Sequence, residues 1–308
     1  MDTLWDIPRT AAMLAGFRPQ LEGAPIAQVV NTHADSDHWF GNQLTGAGRI
    51  IATKTAARHM RRQAPRQINK LHAVCRLFRA MSHAPIRNRD SWRVTAEYIE
   101  GMMRPFDFSN IRAAVPNATF TGKMQVEVGG RNLLLVDVGP AHTSGDLVVF
   151  LPDERIVAAG DIVFQGCTPI LWDGSSRNWI KACQRILGWK VDLVVPGHGP
   201  LTDLSGVDAI RKYWQFLRAA VRSHYEKSVP PFRAALRIAT SDEYLKHPFA
   251  LWDCQERIAI NVHSIYRRLM GRSRRIGTLE RLMLLRETAL MAKELAHRAG
   301  TASLASNA

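Results

Sequence analysis

An α/β fold with a helical C-terminal third is what this 308-residue chain predicts, and three observations predict it. Short Val/Leu/Ile-rich runs alternate with helical spacings up to about residue 195. Residue types that bind metal gather where those runs end. After Asp203 the strand signals stop and helical periodicity takes over.

The elements follow in order. Residues 8–19 read as a short helix stopped near Pro19. Pro25–Val30 is an apolar run, with a buried strand expected at 26–31, and Trp39–Gln43 begins the next helix. Ile50–Thr53 is a strand. From Lys54 to about Ile111 the composition shifts to Arg, His, Met and Gln. Helical spacing at Ala73-Val74, Leu77-Phe78 and Met81 marks a helical insertion over 54–115, with Pro65, Pro85 and Pro105 as breakers. Met124–Val128, Gly129-Gly130 and Asn132–Val138 make a hairpin with a Gly-Gly turn. Leu147–Leu151 and Ile156–Ala159 make a second one around Pro152–Arg155. Ser176–Leu187 is a helix and Val191–Val195 a buried strand. Helices are expected at Val207–Arg222, Pro231–Ala239, Cys254–Met270 and Thr278–Ala299, with a frayed tail over Thr301–Ala308.

Composition narrows the class. The length suits one large or two modest domains, and 46% hydrophobic residues is ordinary for a globular protein. No run approaches 18 apolar residues, so no membrane partner is expected. Asp2 stands where a signal peptide would be basic. Cys75, Cys167, Cys183 and Cys254 lack pair spacing, which suggests a reducing compartment and a cytoplasmic location. The net charge of +14 raises nucleic acid as a partner. The basic residues are spread along helical segments, clustering only at Arg61-Arg62, Arg267-Arg268 and Arg272–Arg275, and no stacking aromatics interleave. A small-molecule substrate is the expected partner instead.

Chemistry concentrates in His33-Ala34-Asp35-Ser36-Asp37-His38. Two imidazoles and two carboxylates in one turn are costly to hold unless a cation neutralises the carboxylates. Three later segments supply further ligands at or just after apolar runs: Gly139–Asp146 with His142, Ala159–Asp161, and Val195–Pro200 with His198. Taken singly, each residue reads as a cap or a turn residue; four motifs in series read as a metal site. Thr143 and Ser144 shape the His142 turn. Cys167 reads as an idle thiol. Trp39, Trp172 and Trp179 flank the motifs, as core packing first and substrate walls second. His59, His72, His83, His224, His247, His263 and His297 have no ligand spacing.

The pattern resembles the metallo-β-lactamase superfamily, whose signature is His-x-His-x-Asp-His followed by a His, a bridging Asp and a final His. Here it stands as His33, Asp35, Asp37, His38, His142, Asp161 and His198, with Asp35 where the family usually has its second His. The resemblance covers roughly residues 1–205. It implies a four-layer αββα sandwich over 1–204, interrupted by the insertion, with a helical extension over 205–308. In the family, strands precede one ending in a Val-Asp-Thr-like tripeptide. The chain opens Met1-Asp2-Thr3, so the resemblance implies that the first strands are absent.

The resemblance also implies two divalent metal ions. One is held by His33, Asp35 and His142, the other by Asp37, His38 and His198, with Asp161 bridging. Zinc is the usual metal; the harder carboxylate of Asp35 shifts preference toward iron or manganese and leaves the site less positive. The implied activity is hydrolysis, a metal-bridged hydroxide attacking an ester, thioester, lactone or amide carbonyl. Asp37 doubles as orienter or proton shuttle. Alternatives are a di-iron redox or oxygen-handling relative, since flavodiiron-type proteins also place a carboxylate second, a nuclease, or an inactive shortened homologue. The stretch Trp252–Arg268 resembles the helical tail of hydrolase-like members and suits packing or a homodimer through the C-terminal helices.

Overall fold

The computed structural model describes residues 1–62, 76–80, 89–272 and 276–306, with side chains to residue 298. The expectations resting on Pro65, His72, Ala73, Val74, Cys75, Met81, His83, Pro85, Arg274 and Arg275 lie outside the described residues.

The chain divides into two compact units. The first comprises Met1–Lys70, Arg104–Gln165 and Gly174–Arg211. The second gathers Leu71–Met103, Gly166–Asp173 and Lys212–Ala308, so it draws on the insertion as well as on the C-terminal stretch.

All eight described strands belong to the first unit. Strands β1 (Gln28–Val30), β2 (Arg49–Thr53) and β3 (Ala118–Phe120) form a parallel sheet in the order β1-β2-β3. A second sheet runs β4 (Lys123–Val128), β5 (Arg131–Asp137), β6 (Leu147–Leu151), β7 (Ile156–Phe164) and β8 (Leu193–His198). It is antiparallel except for β7 and β8. Gly129 and Gly130, both at positive φ, close the β4–β5 hairpin as a two-residue turn whose twist suits the strands. Ile51 and Phe120 of the first sheet pack with Val126, Leu135, Leu147 and Val149 of the second, which makes the core a sheet-on-sheet sandwich.

Helix α1 (Ile7–Leu21) is capped by the Asp6 carboxylate, which accepts from Arg9 N–H. It does not stop at Pro19. That proline sits in the last turn, where losing one donor costs little, and the helix ends at Glu22 in the left-handed region. The helix expected from Trp39 is instead two 3₁₀ turns, Ser36–His38 and Phe40–Leu44. Helix α2 (Lys54–Arg62) lies just after β2. Helix α4 (Ser176–Leu187) buries Trp179, Ala182, Cys183 and Ile186 at helical spacing; the intervening α3 (Arg89–Met103) belongs to the second unit.

The second unit is helical. Helix α5 (Leu204–Glu226) leads into it, followed by α6 (Pro231–Ala239), α7 (Asp242–Leu245), α8 (Ile258–Leu269) and α9 (Thr278–Ser306). The last helix runs past the expected end at Ala299, so 301–306 are helical where a frayed tail was expected. Helix α8 is buried on most of its circumference. Asn261 on it accepts from Leu171 N–H and donates to the Pro169 carbonyl, fixing 169–171 against the helix.

Candidate metal centre

Local structure explains why the ligands converge. The turn after β1 is pinned from both sides: Asn31 Nδ2 donates to the His38 carbonyl, and the Trp39 indole donates to Ala34 O. His142 rides on a loop stapled by buried Asp146, whose carboxylate accepts from Ala141 N–H, Thr143 N–H and the Thr143 hydroxyl. The ring of His142 meets that of Trp179 edge-on at 5.5 Å. Asp161 follows Gly160, where β7 shifts register against β8 and φ is +50°. Such a bulge re-aims the next side chain, and Asp161 lands in the cluster. His198 ends β8 and stacks on Phe164 at 5.0 Å. Gly197 lets Asp161 approach: a Cβ there would lie 2.0 Å from Asp161 Oδ1.

The structure brings all seven expected residues together. His33, His142 and Asp161 form one group with ligand atoms close enough to share an ion, and Asp37, His38 and His198 form another. Asp161 lies between them, its Oδ2 3.3 Å from His142 Nε2 and 3.4 Å from His198 Nε2, its Oδ1 3.2 Å from His38 Nε2. Asp35 stands beside the first group, Oδ2 3.1 Å from His142 Nε2 and 4.0 Å from His33 Nε2. Asp37 Oδ2 is 3.4 Å from His198 Nε2 and 3.5 Å from His38 Nε2.

The donor set fits a divalent metal pair. Buried His33 Nε2 has no hydrogen-bond partner, nor does Asp161 Oδ1 despite the nearby imidazole. Orphaned buried polar atoms are rare and need an explanation such as an ion. Electrostatics agree. Burial opposes charging His142 and His198, yet the neighbouring carboxylates overcome it and raise them to about 9 and about 10. Burial works against ionised Asp161 as well, but the surrounding imidazoles hold its carboxyl far below the usual range. His38 is likewise raised by Asp161 and Asp37 against the cost of burial. The carboxylates thus make the cluster a place that favours positive charge.

One residue absent from the sequence-derived site organises it. Asp2 Oδ2 accepts from His38 Nδ1 at 3.0 Å and from the Thr32 hydroxyl at 2.8 Å; Oδ1 accepts from Thr32 N–H. A carboxylate only accepts, so the Thr32 hydroxyl spends its proton on Asp2 and must itself accept from His33 Nδ1, 2.9 Å away. Both rings are thereby fixed with Nε2 toward the cluster. The signal for Asp2 was the Met1-Asp2-Thr3 tripeptide, read only as a strand's end. Trp39 and Trp179 are fully buried and serve as core pillars, not walls. Cys167 and Trp172 fall in the second unit.

Comparisons with known proteins bear on the fold. The sequence profile of the metallo-beta-lactamase superfamily matches residues 72–198, a segment that holds His142, Asp161 and His198 but begins after the 33–38 turn. The alpha subunit of 2,4-dinitroanisole O-demethylase from Nocardioides sp. (strain JS1661) is 37% identical over 82 residues, 26% of this chain and 25% of that one. The solved stereoselective inverting sec-alkylsulfatase Pisa1 from Pseudomonas sp. is similar at a TM-score of 0.63 and 16% identity, over 88% of this chain and 45% of that one. A metallo-beta-lactamase from Pontibacter korlensis is 21% identical, with a TM-score of 0.47 over 70% of this chain and 80% of that one. The chain thus corresponds to a quarter of the demethylase subunit and to less than half of the sulfatase. The profile match over residues 72–198 and the likeness to the sulfatase thus support a metallo-β-lactamase fold for this chain.

Proposed function

We propose that this chain is a metal-dependent hydrolase acting on an ester, thioester, lactone or amide of a small molecule. The observation that carries the reading is the convergence of seven ligand-type side chains, with buried His33 Nε2 and Asp161 Oδ1 lacking a hydrogen-bond partner. Two divalent ions, when bound, would supply an acidified water as nucleophile and positive charge for the oxyanion. His33, Asp35 and His142 would hold one, Asp37, His38 and His198 the other, and Asp161 both. Asp37 Oδ2, half-exposed and within reach of two imidazoles, is placed to take up a proton and deliver it to the leaving group. Asp2 and Thr32 keep His33 and His38 oriented.

Asp35 supports a metal preference broader than zinc, with iron or manganese admitted by the harder oxygen donor. Metal analysis of protein purified without added metal tests this, and a single tight zinc with no second ion would refute the two-metal reading. The activity test is a substrate panel with zinc-, iron- or manganese-loaded protein, run beside His38→Ala. Turnover surviving that substitution would remove the assigned site from the reaction. A second reading, cleavage of an aryl methyl ether, is favoured by the 37% identity to the demethylase subunit, so a nitroanisole belongs in the panel. We further propose a cytoplasmic location and a homodimer through the C-terminal helices. Among the described residues no helix is long and apolar enough to cross a membrane.

A further inference from the structure

We propose a separate binding site for a multivalent oxyanion, a phosphate or phosphate monoester, on the exposed face of α2. A cavity of about 430 Å³ is lined there by Lys54, Arg58, Arg61, Arg62 and Thr119. That volume is in the range of small-molecule pockets and far below what a duplex would need. Among the described residues, the lining holds four cations, one hydroxyl and no carboxylate. The helix itself, KTAARHMRR, has no acidic residue.

The arrangement is fixed by packing and not by chance exposure. Ala56, Ala57 and Met60 are buried on the opposite face of α2, which sets the rotation of the helix. Lys54, Arg58 and Arg62 then follow at i, i+4 and i+8, with Arg61 beside them. Arg61 is anchored, donating to the Pro116 carbonyl at 3.0 Å, so one guanidinium is held at the rim of the cavity. Thr119 comes from β3, the edge strand of its sheet, and pairs in register with Ala52 two residues before α2. Among the described residues, no carboxylate pairs with Lys54 or Arg58. Like charges at i,i+4 destabilise a helix, and Lys54 and Arg58 make such a pair. An oxyanion between them reverses that repulsion and accepts charge-assisted hydrogen bonds from guanidinium forks.

None of the five lining residues is one of the seven metal-ligand candidates, so the two sites can be tested separately. Titration calorimetry of the whole chain with inorganic phosphate is run on the unaltered protein, on Lys54→Gln/Arg58→Gln and on His38→Ala. Both exchanged cations are exposed, so the double variant should keep the thermal midpoint of the unaltered protein. The expected result is unchanged phosphate affinity in His38→Ala and a loss of at least about tenfold in the double variant, the size of one or two charge-assisted contacts. Unchanged affinity in the double variant overturns the proposal. So does a loss confined to His38→Ala, which would seat the anion at the ligand cluster. Binding of a single-stranded oligonucleotide with none of phosphate overturns it too, in favour of a nucleic-acid surface.

Discussion

The side chains of His33, His142 and Asp161 are 1%, 1% and 4% exposed, whereas those of Asp37 and His198 are 33% and 38% exposed. The inner trio is walled by Trp179, by the Asp146-stapled loop and by the Gly160 bulge. The outer trio rests on a 3₁₀ turn and a strand end. Rigid burial suits an ion that stays; partial exposure suits an ion that exchanges and a place where substrate arrives. His38 of the outer trio is 6% exposed and Asp35 beside the inner trio 27%, so the contrast lies in Asp37 and His198; on the two-ion proposal it would favour retention in the inner half and access at the outer one.

That contrast can be broken in graded ways. The Asp161 carboxylate reaches imidazoles of both halves, so Asp161→Asn should strip both ions, with metal affinity falling by more than about 100-fold and turnover with it; retention of one full equivalent in metal analysis would disprove the shared role. Asp2→Ala should weaken metal binding by roughly 10- to 100-fold, because it frees the rings of His33 and His38 at once. If only the outer ion is lost, the Thr32 link to the inner half carries no weight. Gly197→Ala forces a Cβ against Asp161 Oδ1 and should cost about 1–3 kcal/mol in the melting transition, together with lowered metal content. Progressive chelation should remove metal in two stages, the exposed half first; a single stage for both ions would erase the distinction between halves. The smallest effect is expected of Trp5→Phe. It deletes the 2.8 Å bond from the indole to Ser36 Oγ under the outer turn and should cost about 1 kcal/mol with metal content unchanged.

Much of this was legible in the sequence, and what was not has physical reasons. Ligand types at the ends of apolar runs announce themselves, because strand ends and metal chemistry both leave local signatures in His33–His38 and around His142, Asp161 and His198. The β4–β5 hairpin was legible from Gly129-Gly130. Asp2 was not, since its task depends on hydrogen bonds to residues thirty and more positions away. The continuation of α1 through Pro19 was hidden because a proline in a last turn and a proline that ends a helix look alike from sequence. The grouping of Arg89–Met103 with the C-terminal helices rests on long-range contact, to which local periodicity is blind.

Two glycines carry a consequence beyond geometry. A side chain at Gly160 would strike Thr32, and one at Gly197 would strike Asp161. The paired stretch of β7 and β8 beside the cluster therefore has no room for added side chains at these positions, since even the smallest substitution disturbs a ligand or its support. A change at either position should therefore show first as altered metal content and only through it as altered turnover.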